Sequence, residues 1–335
     1  MLLAILIVAF LAAWGGTLLM RRYALSRAIL DVPNARSSHR VPTPRGGGVA
    51  FVLVFLLGLP LLWWLEWVLP RTALALAVGG SLVAVVGFID DRRSLSSRVR
   101  FGCHLLAAAL ALGLLGGWPV LELGVRAIHW GALGFVIGVL AIAWSINLYN
   151  FMDGIDGLAI SQAVFMALGT ALIVHLAGGA SYPALLLAAA CGGFLLLNWP
   201  PAKIFMGDAG SGFLGFAFAL LALRSTLAQQ TTIWPWLILY AVFVVDASFT
   251  LIRRMLSGQR WTEAHRSHAY QHAAQRLGAH RPVSCAVIAI NLLWLLPLAC
   301  AARQWPEQGP WLCLLAWLPL LGLAVYWRAG IPQQA

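Results

Sequence analysis

Long apolar runs constrain this chain more than any other feature. Eleven can be placed along its 335 residues, at 1–20, 46–68, 71–89, 102–118, 130–149, 158–178, 182–198, 212–228, 232–252, 283–302 and 310–327. A run of about 20 apolar residues matches the hydrocarbon thickness of a bilayer in helical geometry. Backbone amides in lipid must be satisfied within their own segment, which selects helices. The expected fold class is therefore all-α: a polytopic integral membrane protein of about eleven transmembrane helices, forming a single domain over 1–335. Composition agrees, since 61% of residues are hydrophobic and only 10% are charged. That balance excludes a soluble enzyme, a disordered chain and a disulfide-stapled secreted domain. The five cysteines lack CxxC spacing and sit in or beside apolar runs, as small core residues do.

Charge orients the array. The chain carries 22 basic and 11 acidic residues, for a net charge of +11. With the N-terminus outside and the C-terminus cytoplasmic, 18 basic residues fall in cytoplasmic segments and four near outer ends. Retention of basic loops in the cytoplasm selects this orientation. The first span has no basic residues ahead of it, and Arg21 and Arg22 follow it, so we expect a retained span rather than a cleaved signal. The basic excess thus belongs to a membrane surface and an anionic substrate, with no call for nucleic acid.

All seven aspartates lie in or near the cytoplasmic side, among these arginines. Short carboxylates beside many Arg suit a divalent cation and a phosphorylated ligand. Asp90-Asp91 ends the third span; the pair is either a charged stop or a phosphate-handling site. The run Asn147-Leu148-Tyr149-Asn150-Phe151-Met152-Asp153-Gly154-Ile155-Asp156-Gly157-Leu158 carries the strongest signal. Its Asn147, Asn150, Asp153 and Asp156 recur every third residue, which lines hard oxygen donors along one side of a helical turn. In Phe205-Met206-Gly207-Asp208-Ala209-Gly210-Ser211, an Asp stands between glycines just before a span, where backbone amides can meet phosphate. It lacks the GK[ST] ending of a Walker A loop. The loop 253–282 holds His265-Arg266-Ser267-His268 and His272, read as a cationic cradle for a diphosphate, as a zinc set, or as plain loop polarity. The segment from Arg36 to Gly48, with Arg40, is a stiff basic turn entering the second span. Asp246 lies inside the ninth span, where a carboxylate costs about 2.5–3.5 kcal/mol on insertion scales and so requires a partner.

Taken together, these motifs resemble the polyprenyl-phosphate N-acetylhexosamine-1-phosphate transferases of glycosyltransferase family 4, over about Asp31 to Pro282. The resemblance is nearest to the bacterial O-antigen-initiating branch. The polyhistidine loop of the related phospho-MurNAc-pentapeptide translocase is missing. The resemblance implies a multi-pass enzyme of the bacterial inner (cytoplasmic) membrane. Its partners would be a polyprenyl (undecaprenyl) phosphate lipid and a UDP-N-acetylhexosamine, its cofactor Mg²⁺, and its products polyprenyl-diphosphate-sugar and UMP. The active site would sit on the cytoplasmic loops 21–45, 90–101, 150–157, 199–211 and 253–282. By motif position, Asp208 would be a Mg²⁺ ligand with Asn150 beside it. Asp90 and Asp91 would act with Asp208 as the catalytic carboxylates and handle the lipid phosphate. Asp156 would lie at the uridine, and Arg100, His265, Arg266 and His268 at the diphosphate or sugar. Arg40, Asn147 and Asp153 complete the expected substrate contacts. A homo-oligomer is compatible with all of this.

Two other classes fit less well. A secondary transporter places ionisable groups at mid-span and commonly shows inverted repeats; here the acids gather at one edge. A CDP-alcohol phosphotransferase shares a DxxDG run but continues with an Ala-Arg pair, whereas Leu158-Ala159-Ile160-Ser161 follows here.

Overall fold

The computed structural model describes residues 1–33, 41–124, 126–259 and 265–332. Each of the eleven apolar runs is helical. They form α1 (Leu2–Ser26), α2 (Gly48–Trp64), α3 (Pro70–Asp90), α4 (Ser97–Leu115), α5 (Gly131–Phe151), α6 (Leu158–Leu176), α7 (Tyr182–Asn198) and α8 (Asp208–Leu227). Then follow α9 (Trp234–Leu239), α10 (Ala241–Leu256), α11 (Ala269–Leu277), α12 (His280–Ile290), α13 (Leu296–Gln304) and α14 (Gly309–Tyr326). Eight helical segments among the described residues are long and apolar enough to cross a membrane by themselves, with α12 and α13 counted as one continuous segment. The 17-residue helices α2 and α7 are shorter. The only pairings of strands among the described residues are two short antiparallel ribbons, β1 (Leu30–Asp31) with β2 (Thr43–Pro44), and β3 (Leu121–Leu123) with β4 (Arg126–Ile128).

The bundle is built around α8, which packs on α2, α3, α5 and α6. Its Phe213, Phe216 and Phe218 are fully buried, together with Phe51 and Phe55 of α2, Tyr149 of α5, Phe194 of α7 and Phe243 of α10. The outer faces of the helices instead carry exposed large apolar side chains, such as Leu57, Leu256 and Leu293. In a bilayer such side chains meet acyl chains rather than water, so they need no protein cover. Cys191 and Cys313 are buried as expected of core cysteines, whereas Cys285 is exposed on α12.

Two of the apolar runs are not regular helices, and one buried side chain touches both. The run 232–252 breaks at Tyr240 into α9 and α10. The run 283–302 contains a π-helical turn at Asn291–Leu295. Gln162 of α6, itself fully buried, donates from Nε2 to the Leu239 carbonyl at 3.1 Å. Its Oε1 accepts from Asn291 Nδ2 at 2.7 Å. Trp317 of α14 donates to the Leu237 carbonyl at 3.1 Å. Gln162 thus inserts into the carbonyl ladder at the first break, whereas at the second Pro297 has no N–H to offer the Leu293 carbonyl, and the ladder widens into a π-turn ahead of it.

The helix ends sort onto two faces. One gathers the segments 41–47, 90–100, 151–157, 199–208, 265–284 and 328–330, joined by contacts such as Phe205 N–H to the Pro44 carbonyl and Gly330 N–H to the Ser267 carbonyl. The other carries the β3–β4 ribbon, whose Glu122 carbonyl accepts from Trp234 Nε1 at 2.7 Å. On that second face Trp67 also stacks on Tyr182, with ring centroids 4.3 Å apart. All the carboxylates singled out from the sequence except Asp246, which sits in α10, therefore meet at one end of the bundle.

Candidate active site

Four of the converging segments meet where α8 begins. The sequence pattern places this span at 212, after a glycine-rich loop, but the helix starts four residues earlier at Asp208. The cause is tertiary. Asp91, at the C-terminus of α3, accepts the Asp208 N–H at 2.9 Å on Oδ1 and the Ala209 N–H at 3.3 Å on Oδ2. A carboxylate at a helix N-terminus satisfies orphan amides and opposes the positive end of the helix dipole. Local backbone geometry permits this approach. Gly207 has φ +79°, and a Cβ there would stand 2.5 Å from Asp91 Oδ2. A Cβ on Gly87 of α3 would stand 2.5 Å from the Asp208 carbonyl carbon, so α3 can come this close to the start of α8 only as glycine.

Two arginines hold the carboxylates together. Arg45 Nε lies 2.8 Å from Asp91 Oδ1, and its Nη2 lies 2.5 Å from Asp208 Oδ1. Arg100 Nη1 lies 2.7 Å from Asp90 Oδ2 and 3.4 Å from Asp208 Oδ2. The other oxygen of Asp90 accepts the Leu95 N–H at 2.6 Å, closing the turn between α3 and α4. Asp208 thus stands between two guanidinium groups, both about one-third exposed and both able to face a ligand. Burial lowers the proton affinity of Arg45, but the charges of Asp208, Asp91, Asp31 and Asp153 outweigh it and raise it above the ordinary value. Burial pushes the Asp91 carboxyl up, against the pull of Arg45 and of the two amides it caps.

The Asn/Asp run lies beside this cluster. Asn147 and Asn150 sit on the half-buried face of the last turns of α5, three residues apart as the spacing predicts. Asn147 Nδ2 donates to the Ala143 carbonyl of its own helix at 2.7 Å. The helix ends at Phe151, so Asp153 and Asp156 belong to the following turn and not to a continuing helical stripe. Burial, and then the charges of Asp208, Asp91 and Asp156, push the Asp153 carboxyl well above the usual range, against Arg45. Asp156 is turned toward other partners. Its carboxylate lies 3.1 Å from His280 Nδ1 and accepts the Ala202 N–H at 3.0 Å. Its carbonyl accepts from Ser284 Oγ at 2.9 Å. Asp156 therefore pins the 199–208 loop to the start of α12.

The histidine loop is anchored by Asp246. The Asp246 carboxylate accepts the Ala269 and Tyr270 N–H groups at 3.0 and 3.1 Å, the Thr250 hydroxyl at 3.1 Å, and faces His268 Nδ1 at 3.3 Å. These are the partners that the buried acid requires. His268 is only 3% exposed, so it serves this anchor rather than standing open to a diphosphate. His265 stacks on His268, with centroids 5.0 Å apart, and packs near Phe151 at the end of α5. Tyr270 donates to the Phe151 carbonyl at 2.9 Å. His265 and Arg266 are half-buried at the edge of the same face. Arg40 lies outside the described residues.

Sequence reasoning missed two site residues. Arg45 links Asp91 to Asp208, yet in the sequence it is one basic residue of a Pro/Gly turn. His280 opens α12 far from the other motifs. Only the basic character of the 36–48 turn and the Asp-rich surroundings could have pointed to Arg45; no signal pointed to His280. Among the described residues, no three His, Cys, Asp or Glu side chains are grouped as a ready-made metal site.

A family model described as glycosyl transferase family 4 matches residues 73–226. That stretch runs from α3 through α8 and contains Asp90, Asp91, Arg100, the Asn/Asp run and Asp208; Arg45 and His280 lie outside it. A probable undecaprenyl-phosphate N-acetylglucosaminyl 1-phosphate transferase of Bacillus subtilis (strain 168) is 31% identical over 280 residues, spanning 81% of this chain and 76% of that protein. The decaprenyl-phosphate N-acetylglucosaminephosphotransferase of Mycobacterium tuberculosis (strain ATCC 25618 / H37Rv) is 31% identical over 312 residues, 82% of this chain and 75% of its own. An undecaprenyl-phosphate alpha-N-acetylglucosaminyl 1-phosphate transferase of Escherichia coli (strain K12) is 26% identical over 314 residues, with coverages of 89% and 83%.

Proposed function

The chain belongs to glycosyl transferase family 4, and from that premise we propose that it moves a HexNAc-1-phosphate from a UDP-N-acetylhexosamine onto a polyprenyl phosphate. The observation that carries this reading is the convergence of Arg45 and Arg100 on Asp208, Asp90 and Asp91 at one end of an apolar helical bundle. A lipid phosphate must approach from the bilayer and a nucleotide sugar from water, and this is where the two phases meet. The 18-to-4 distribution of basic residues supports a cytoplasmic position for that face, in a bacterial inner membrane.

In the reaction, an oxygen of the lipid phosphate attacks the β-phosphorus of the UDP-sugar. The bond from that phosphorus to the bridging oxygen breaks, and UMP leaves with the electron pair. The sugar stays on its phosphate, and a new P–O–P linkage joins it to the lipid. Phosphoryl transfer of this kind depends on positioning and charge neutralisation. Arg45 and Arg100 are placed to orient phosphate oxygens by exchanging carboxylate partners for phosphate ones, which guanidinium geometry favours. Asp91 holds α8 and Arg45 in place, and Asp90 does the same for Arg100. We assign these two acids to arranging the arginines around the lipid phosphate.

Mg²⁺ suits the donor set. Asp208, Asp153 and the Asn150 amide offer hard oxygens; the raised proton affinity of Asp153 comes first from burial and then from the charges of Asp208, Asp91 and Asp156, and a cation would oppose both. Mg²⁺ commonly takes one or two carboxylates and completes its shell with water and substrate phosphates, so it needs no cage of three protein acids. Bound by Asp208 with Asn150 beside it, the ion would neutralise the diphosphate oxygens. The Asp156–His280 pair keeps the 199–208 loop in register with α8, so that Asp208 faces the arginines.

Product analysis tests this reading. With label in the β-phosphate of the donor, the label should move to the lipid fraction and UMP should appear in equal amount. Release of UDP, with the label left on the nucleotide, would show ordinary glycosyl transfer and overturn it. A panel of UDP-HexNAc donors then identifies the sugar.

A further inference from the structure

On the face opposite the carboxylate cluster lies a cavity of about 460 Å³, walled by the β3–β4 ribbon, the end of α8, the loop leading to α9 and the end of α13. None of its residues belongs to the catalytic face. Its lining is polar in a way that the protein itself does not resolve. Arg303 Nε and the Oγ1 atoms of Thr231 and Thr232 are buried without a hydrogen-bond partner. Each such group costs about 1–3 kcal/mol if nothing meets it. Three of them stand in the wall of one cavity, and a small turn of the side chains would bring them to a polar guest there.

The charges narrow the guest. Arg303 and Glu122 both line the cavity, and among the described residues neither makes an ion pair with the other or with anything else. A simple anion would gain from Arg303 and lose to Glu122, and a simple cation the reverse. A molecule bearing both charges gains from both. Position narrows it further. Trp118, Leu227 and Pro306 give the cavity apolar wall, and the neighbouring Trp305 and Trp311 are exposed by 59% and 68%. Exposed tryptophans at helix ends mark the depth of lipid headgroups.

We propose that this cavity binds the headgroup of an ammonium-bearing zwitterionic phospholipid. Arg303 and the Thr231 and Thr232 hydroxyls take the phosphodiester, Glu122 takes the ammonium, and the acyl chains leave along the apolar wall into the bilayer. The site is separate from the one that takes the lipid substrate, and the proposal does not depend on which sugar is transferred.

Native mass spectrometry of the full chain in detergent, after delipidation, tests it. The protein is offered phosphatidylethanolamine, phosphatidylglycerol or soluble O-phosphoethanolamine. Wild type should retain one phosphatidylethanolamine at least about tenfold more than phosphatidylglycerol. Arg303→Gln should lower that retention by at least about tenfold, the least that losing a hydrogen bond to a charged group is worth. Glu122→Gln should remove the preference while phosphatidylglycerol is still retained. Transferase activity, measured on the same preparations, reports that the variants are folded. If Arg303→Gln does not fold, the combined Thr231→Val and Thr232→Val variant, which keeps side-chain volume, carries the same expectation. Equal retention of the two lipids by wild type overturns the proposal, as does a folded Arg303 variant with unchanged binding. Binding of O-phosphoethanolamine as tight as that of the lipid overturns the assignment to a membrane lipid.

Discussion

Replacing Asp246 by Asn should loosen the histidine loop without disturbing the carboxylate cluster. Asp246 is 6% exposed and accepts two backbone amides, one hydroxyl and one histidine contact. Those amides belong to the first turn of α11, and Tyr270 in that turn also reaches back to the Phe151 carbonyl at the end of α5. The carboxylate therefore fastens α11 and the His265–His268 segment to the face that carries Asn150 and Asp153. Asparagine keeps one acceptor oxygen but exchanges the charge for an amide that opposes one of the N–H groups. Hydrogen bonds to charged groups contribute about 1.5–3 kcal/mol, so the substitution should cost about 2–3 kcal/mol of local stability. At 1.4 kcal/mol per decade, that is about 30- to 150-fold in the opening equilibrium. Amide hydrogen exchange in detergent reads it directly. The Ala269 and Tyr270 amides should exchange faster by that factor, while Asp208 and Ala209, capped by Asp91, should not change. Asp246→Ala removes the acceptor altogether and should cost about 3–6 kcal/mol across the two amides. If exchange at 269–270 is unchanged in either variant, the loop is held by something other than Asp246 and the reasoning fails.

Asp208→Asn should cut turnover by orders of magnitude and raise the Mg²⁺ concentration needed for half-maximal activity, whereas Asp90→Asn should cut turnover with a smaller shift; near-normal activity of Asp208→Asn at limiting Mg²⁺ would move the metal elsewhere. Arg45→Lys should lower activity at least about tenfold, since one ammonium cannot span Asp91 and Asp208 as the guanidinium does; turnover within twofold of wild type would remove Arg45 from the site. His280→Ala takes the α12 partner from the Asp156 carboxylate and leaves only the Ser284 bond to its carbonyl, so protease cleavage in the 199–208 loop should become faster; an unchanged cleavage rate would show that the Ser284 and Ala202 contacts suffice. Single cysteines on a cysteine-free background should label from outside near Gly124 and Gln308, and near Ser97 and Gly258 only after permeabilisation; the opposite pattern would invert the array.

Much of this protein follows from its sequence without tertiary information. Each of the eleven apolar runs is helical, because an apolar segment in lipid has no other way to satisfy its backbone. The sequence also placed Asp90, Asp91, Asn150, Asp153 and Asp208 at one end of the bundle, since each lies at the same end of its span. The resemblance of their motifs to one transferase family needed no coordinates. What the sequence could not supply is who faces whom. Asp91 caps α8 and starts it at Asp208, whereas local composition points to a glycine-rich loop until 212. Arg45 joins Asp91 to Asp208 across 163 residues of chain from the latter. His268, one of a group of loop histidines in the sequence, is buried against Asp246. Gln162 breaks α9 from α10 and faces the π-turn before α13, although hydropathy there is uniform. Periodicity and composition act over a few residues, so they set helices and the faces that lipid or protein will cover. Ion pairs, caps and helix breaks form between segments far apart in the chain, and their partners exist only once the helices have packed.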